Sequence, residues 1–135
     1  LQEGGVDLMK QCLVYRYSFT TESTAFDEGY KLGNSLALKE LGIQGIFLFN
    51  DLIAMGFQKA VLERGLSIPE DIAVVGFDNI KRCSEARVPL TTVQTPGYEI
   101  GKTAFNLLLD LINNEKTNDN QVIHLEPKLI VRDSA

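Results

Sequence analysis

Asparagine and aspartate stand side by side twice in this chain, as Asn50-Asp51 and as Asp78-Asn79, and each pair closes a short apolar run. An amide that both donates and accepts, set beside a carboxylate that takes two donors at once, matches the vicinal hydroxyls of a sugar or the polar edge of a purine. The plainer alternative is that each residue only caps or turns the element after it, where Asn and Asp are common. Repetition at two run ends favours a binding rim. Tyr17, Ser18 and Phe19, which follow the apolar segment 12–15, are further candidates: an aromatic there could stack on a flat ligand, or Phe19 could tuck into the core.

Catalytic chemistry has few candidates. The one histidine, His124, is flanked by apolar residues and reads as the edge of a packed strand rather than a base or ligand. Cys12, Cys83 and His124 are far apart in sequence and lack metal-ligand spacing. Neither a phosphate-binding glycine loop nor a nucleophile elbow is present. The carboxylates Asp27, Glu28, Glu70 and Asp71 fall in helix or turn positions that capping and solvation explain. The expectation is a non-enzyme with no cofactor and no metal.

The Asn/Asp pairs need elements to hold them. The run Ile46-Phe47-Leu48-Phe49 and the run 72–77 lack strict alternation, as parallel strands covered on both faces do. Between them, residues 52–64 carry Ile53, Phe57, Ala60 and Val61 on one helical stripe. Asn50 or Asp51 can start that helix, and Gly65 followed by Pro69 can end it. A right-handed crossover makes the two strands parallel, so Asn50 and Asp78 should sit together at their carboxyl ends, where open parallel sheets bind ligands.

Around this unit the pattern predicts the tail of a helix at 1–10 and a strand at 12–15. A helix over 22–41 follows, with Gly29 and Gly33 permitting close packing on a sheet, at about 1 kcal/mol each relative to Ala. A charged loop covers 78–89 and a strand 90–94. Next comes a helix from Gly97 to about 113, with Thr95 as its cap and Gly101, Ala104, Phe105, Leu108, Leu111 and Ile112 as its stripe. Two short strands, 122–125 and 128–131, complete an α/β order with a parallel, three-layer αβα arrangement.

Composition sets the limits. A chain of 135 residues with 44% hydrophobic content suits one globular domain. A net charge of -5 argues against a nucleic-acid footprint in these residues, since phosphate binding needs clustered Lys and Arg. The apolar runs fall far below the roughly 20 residues of a membrane span, and no signal peptide is visible. Two lone thiols rather than a disulfide framework predict a reducing, cytoplasmic setting.

Several segments together carry a resemblance. Phe49-Asn50-Asp51-Leu52-Ile53-Ala54-Met55-Gly56, the run from Gly65 to Asp78, Pro89-Leu90-Thr91-Thr92-Val93 and Leu129-Ile130-Val131-Arg132-Asp133-Ser134 resemble, in order, the LacI/GalR family of bacterial transcription regulators. The resemblance implies part of an effector-binding core, a periplasmic-binding-protein-like fold of two α/β lobes with the ligand in the cleft. It implies effector contacts at Asn50 and Asp78, with the Tyr17 to Phe19 loop contributing, and a further contact at Thr95; Gly97 replaces an aromatic that some members use. It places a homodimer interface at Met55, Lys59, Arg82, Cys83, Ser84, Glu85 and Ala86. It also implies a carboxyl-terminal fragment, with 11–94 and 126–135 in the second lobe and 97–123 belonging to the first.

DNA would then be read only through an N-terminal helix-turn-helix outside this sequence. The helix after Gly97, its natural partners missing, is expected to pack against its own sheet or another copy. The alternatives are a periplasmic sugar-binding protein of the same fold and an enzyme on a similar scaffold.

Overall fold

The computed structural model describes residues 23–113 and 122–135. The expected helix tail at 1–10, the strand at 12–15, and Cys12, Tyr17, Ser18 and Phe19 lie outside the described residues.

Thr24 begins helix α1 (Ala25–Ser35) with a capping box: its hydroxyl accepts the Asp27 N–H, and the Asp27 side chain takes the Thr24 N–H. Asp27 is thereby a capping residue, as its position suggested. The helix stops six residues short of the expected end at Leu41, although Leu36-Ala37-Leu38-Lys39-Glu40-Leu41 is good helix-forming sequence. Arg64, just past the next helix, donates to the carbonyls of Gly33 and Leu36, and the chain turns so that Leu38 enters the core. A tertiary contact overrides local propensity here.

The central strand-helix-strand unit is present as β1 (Gly45–Phe47), α2 (Asp51–Glu63) and β2 (Ala73–Asp78). β1 and β2 are parallel, with Gly45 opposite Ala73 and Phe47 opposite Val75. β1 is shorter than the run 46–49: the Leu48 N–H still donates to the Val75 carbonyl at 2.8 Å, but the chain then turns so that Asn50 can cap α2. β3 (Thr91–Gln94) is parallel to β2, and β4 (Lys128–Ile130) is antiparallel to β3, giving the order β1-β2-β3-β4. The fold is a parallel-dominated α/β sheet with one antiparallel edge.

The core lies between α2 and the sheet face bearing Val74, and includes Phe57, Val61, Ile72 and Leu90, all essentially inaccessible. α1 crosses α2 on small residues. A Cβ at Gly29 would collide with the Ile53 carbonyl oxygen, and one at Gly56 with the Phe26 carbonyl oxygen, so the two backbones touch. The glycines expected to meet a sheet therefore serve a helix-helix crossing.

Three other expectations change. Residues 122–125 form no strand; only Lys128–Ile130 pairs, with β3. Helix α3 (Gly97–Ile112) has Pro96 at its N-cap position with no side-chain bond, so Thr95 does not cap it. Nor does α3 pack on its own sheet: none of its residues is buried, and Tyr98, Phe105, Leu108, Leu111 and Ile112 are exposed.

The segment after β4 braces the sheet. Ser134 is fully buried; its hydroxyl donates to the Val74 carbonyl at 2.6 Å and accepts the Thr91 N–H at 2.8 Å, while its own carbonyl accepts the Val74 N–H at 2.7 Å. It satisfies backbone groups of β2 and β3 where their mutual ladder has not begun. Ser134→Ala would leave the first two groups without a partner and lower stability by about 2 kcal/mol, read as a reduced urea midpoint at unchanged m-value. Gly56→Ala tests the helix crossing: propensity alone would stabilise the protein by about 1 kcal/mol, but the collision reverses the sign, and we expect a loss of about 1–3 kcal/mol in thermal unfolding.

Candidate functional site

Asn50 is the N-cap of α2, in extended backbone, and its Oδ1 accepts the Ile53 N–H at 2.9 Å. The capping alternative thus holds for this residue as far as the oxygen goes. Its amide nitrogen has no partner among the described residues, and the side chain is half-buried. The β1/β2 pairing runs from Gly45 opposite Ala73 to Phe47 opposite Val75. Asn50 therefore follows, and Asp78 closes, the carboxyl ends of neighbouring parallel strands.

Asp78 ends β2 and is exposed to solvent. Its backbone is at φ 110° and that of Asn79 at φ 56°, so two consecutive non-glycine residues are in the left-handed half of conformational space. Partial burial, and then the nearby negative charge of Asp51, push the Asp78 carboxyl above its usual value. No hydrogen-bond donor meets it among the described residues.

Asp51 behaves differently from its neighbour Asn50. It is 1% exposed, and its two oxygens are taken: Oδ1 by the Thr92 hydroxyl at 2.5 Å, Oδ2 by the Ile80 N–H at 2.8 Å. A Cβ on Gly76 would intrude on Oδ1, so a glycine in β2 makes room for the carboxylate. The buried Cys83 thiol lies close to Asp51. Burial, and then the Asp51 carboxylate, push the thiol up to about 12, so at neutral pH it stays protonated.

The charged side chains of the loop 78–89 are solvated, and the loop is anchored at Cys83. Its 3-10 turn, Lys81–Ser84, plugs Cys83 into the core, and the Leu90 N–H donates to the Cys83 carbonyl. Arg82, Ser84 and Glu85 point outward, Ala86 is half-buried, and Cys83 lies beneath them. Met55 is half-buried on α2, and exposed Lys59 stands 5.3 Å over the Tyr30 ring, 3.9 Å from Glu63. Thr95 is half-buried after β3.

Three residues escaped sequence reasoning: Thr92, Asn79 and Arg132. Arg132 donates from Nη1 to the Leu90 carbonyl at 2.7 Å and from Nη2 to the Asn79 Oδ1 at 2.9 Å. The available signal was strand alternation, which turns Thr92 to the opposite face from Thr91 and so towards α2. Nothing local pointed from Arg132 to Asn79.

Comparison with known proteins places this geometry. The profile of the periplasmic binding protein-like domain matches residues 5–135. The HTH-type transcriptional repressor PurR of Vibrio vulnificus is 43% identical over 89 residues, 66% of this chain and 26% of that protein. PurR of Erwinia tasmaniensis is 37% identical over 134 residues, 99% of this chain and 37% of that protein. The chain therefore spans about a quarter to a third of the length of these relatives.

Among solved structures, a LacI family transcriptional regulator from Lactobacillus casei with bound sucrose superposes with a TM-score of 0.69 at 32% identity, covering 84% of this chain and 41% of that one. The lac repressor dimer bound to operator and the anti-inducer ONPF gives 0.68 at 30% identity, covering 78% and 32%. With the ordered motifs, the sheet topology and these matches in agreement, the chain belongs to the periplasmic binding protein-like domain family, in the form found in the effector-binding domains of LacI/GalR-type transcriptional regulators.

Proposed function

We propose that this chain is the effector-binding and dimerisation portion of a cytoplasmic DNA-binding regulator, and that its effector is a sugar or sugar-derived metabolite held in part by Asn50 and Asp78. The observation that carries the proposal is the rim itself. Asn50, its oxygen committed to the α2 cap, offers an amide donor; Asp78 offers a carboxylate acceptor without a donor among the described residues. A donor beside an acceptor fits two neighbouring hydroxyls, each of which gives and takes a hydrogen bond. The edge of a purine meets the same demand and is the second ligand class. Bound sucrose in the Lactobacillus casei relative favours the first. Ser18, Phe19 and Thr95 complete the proposed set, the first two outside the described residues.

The proposal keeps the lobe division that the family resemblance implies, 11–94 and 126–135 in one lobe and 97–123 in the other. An α3 whose apolar stripe has no buried residue supports it. A ligand bridging both lobes would favour one lobe angle, and a homodimer would pass that preference to DNA-reading domains outside this sequence. The proposed dimer surface comprises Met55, Lys59, Arg82, Ser84, Glu85 and Ala86, with Cys83 shaping it from below. Among the described residues no helix is long and apolar enough to cross a membrane.

Two measurements on the full-length protein test this reading. Calorimetry with glucose, sucrose, cellobiose, guanine and hypoxanthine identifies a binding probe, and Asp78→Ala should weaken it by roughly tenfold or more, the scale of a hydrogen bond to a charged group. Unchanged affinity removes Asp78 from the site. The second concerns pH without ligand. Since burial and Asp51 raise the Asp78 pKa in the folded state, the native protein holds that proton more tightly than the unfolded chain does. The ionised carboxylate is then a penalty that is present at neutral pH and fades as pH falls through the raised value. Asp78→Asn should increase Tm at pH 7, and the gain should vanish below about pH 3.8, the ordinary value for aspartate.

A further inference from the structure

The turn that aims Asp78 is an uphill conformation. Two successive non-glycine residues at positive φ, Asp78 and Asn79, are held in sparsely populated backbone regions and persist only where surrounding contacts dictate them. Three contacts do so. The Ile80 N–H is taken by Asp51 Oδ2 at 2.8 Å, the Asn79 N–H reaches the Thr92 hydroxyl oxygen at 3.4 Å, and the Asn79 side-chain oxygen is taken by Arg132 at 2.9 Å. The first two come from α2 and β3, which flank the turn. The third comes from the segment after β4, 53 residues further along.

Arg132 is itself held at several points. Its N–H donates to the Thr91 hydroxyl oxygen at 2.8 Å, its carbonyl accepts from that hydroxyl at 3.1 Å, and its second guanidinium nitrogen is bound to the Leu90 carbonyl. A planar guanidinium anchored on one acceptor presents its other nitrogen in a fixed direction. We infer that Arg132 is a positioning residue for effector binding: through the Asn79 side chain it holds the left-handed turn that presents the Asp78 carboxylate, and so ties the effector rim to the strand returning from α3. The inference rests on the assignment of Asp78 to the effector site.

The test uses the full-length protein with Arg132→Gln, Arg132→Lys and Asn79→Gly, the last removing the acceptor while tolerating positive φ. Hydrogen exchange needs no ligand. Arg132→Gln and Asn79→Gly should speed exchange over residues 78–80 about tenfold, with exchange at Leu48 and Val74 unchanged as the sign of an intact fold. Lysine, a point charge without the two-pronged fork, should not restore protection.

In calorimetry with glucose, sucrose, cellobiose, guanine and hypoxanthine, the glutamine variant should weaken the binding probe about tenfold, yet have no further effect in an Asp78→Ala background, where the turn has nothing left to present. Unaltered exchange at 78–80 overturns the inference, as does a penalty that adds fully to that of Asp78→Ala. If Asp78→Ala alone leaves affinity unchanged, it is the effector-rim assignment that falls, and the exchange result still judges the clamp.

Discussion

A carboxylate removed from water must be met by donors, and the way Asp51 is met organises this lobe. It sits at the first turn of α2, essentially inaccessible, and takes its donors from segments that are remote in sequence, the Ile80 amide and the Thr92 hydroxyl, with the Cys83 thiol close by. Satisfying one side chain thereby fixes where the chain leaves β2, how the 3-10 turn folds back into the core, and how β3 lies against the helix. Gly76 is the steric condition for this, as any larger residue would occupy the space of the carboxylate. The charged partner beneath the rim has a second effect, because it raises the cost of ionising Asp78 above it.

The two members of each Asn/Asp pair thus divide their labour. Asn50 caps a helix and is half-buried, while Asp51 turns inward; Asp78 is exposed, while Asn79 turns towards Arg132. In the proposed site the outward residues are the ones a ligand would meet, and the inward ones hold them in place. Such division suits a recognition surface, since side chains already fixed by packing lose less freedom on binding.

How much of this was legible follows from the range of the forces involved. The strand-helix-strand unit could be read because both its signals, the unbroken apolar runs and the single stripe of Ile53, Phe57, Ala60 and Val61, are local and periodic. The parallel course of β1 and β2, which sets Asn50 and Asp78 at the same end of the sheet, followed from the handedness of one crossover. The end of α1 was misread because Arg64, some thirty residues away, claims the Gly33 and Leu36 carbonyls from sequence that would otherwise remain helical. Residues 122–125 have strand composition, but composition does not supply a neighbour to pair with. Gly29 was correctly read as a point of close approach, though the approaching surface proved to be a helix. The roles of Thr92, Asn79 and Arg132 were harder to read, since alternation gives only the facing of Thr92 and each residue matters through a bond to a distant segment.

The bracing by Ser134 bears on how the lobe comes into being. Val74 and Ser134 are separated by 60 residues, and everything between them must be synthesised before the hydroxyl can bridge β2 and β3. A nascent chain that has released only the central unit can form the α1/α2 crossing, whose partners are near in sequence, but not the closed sheet. The segment around Ser134 would then act as a keystone, so that the sheet of this lobe closes only once that segment has emerged.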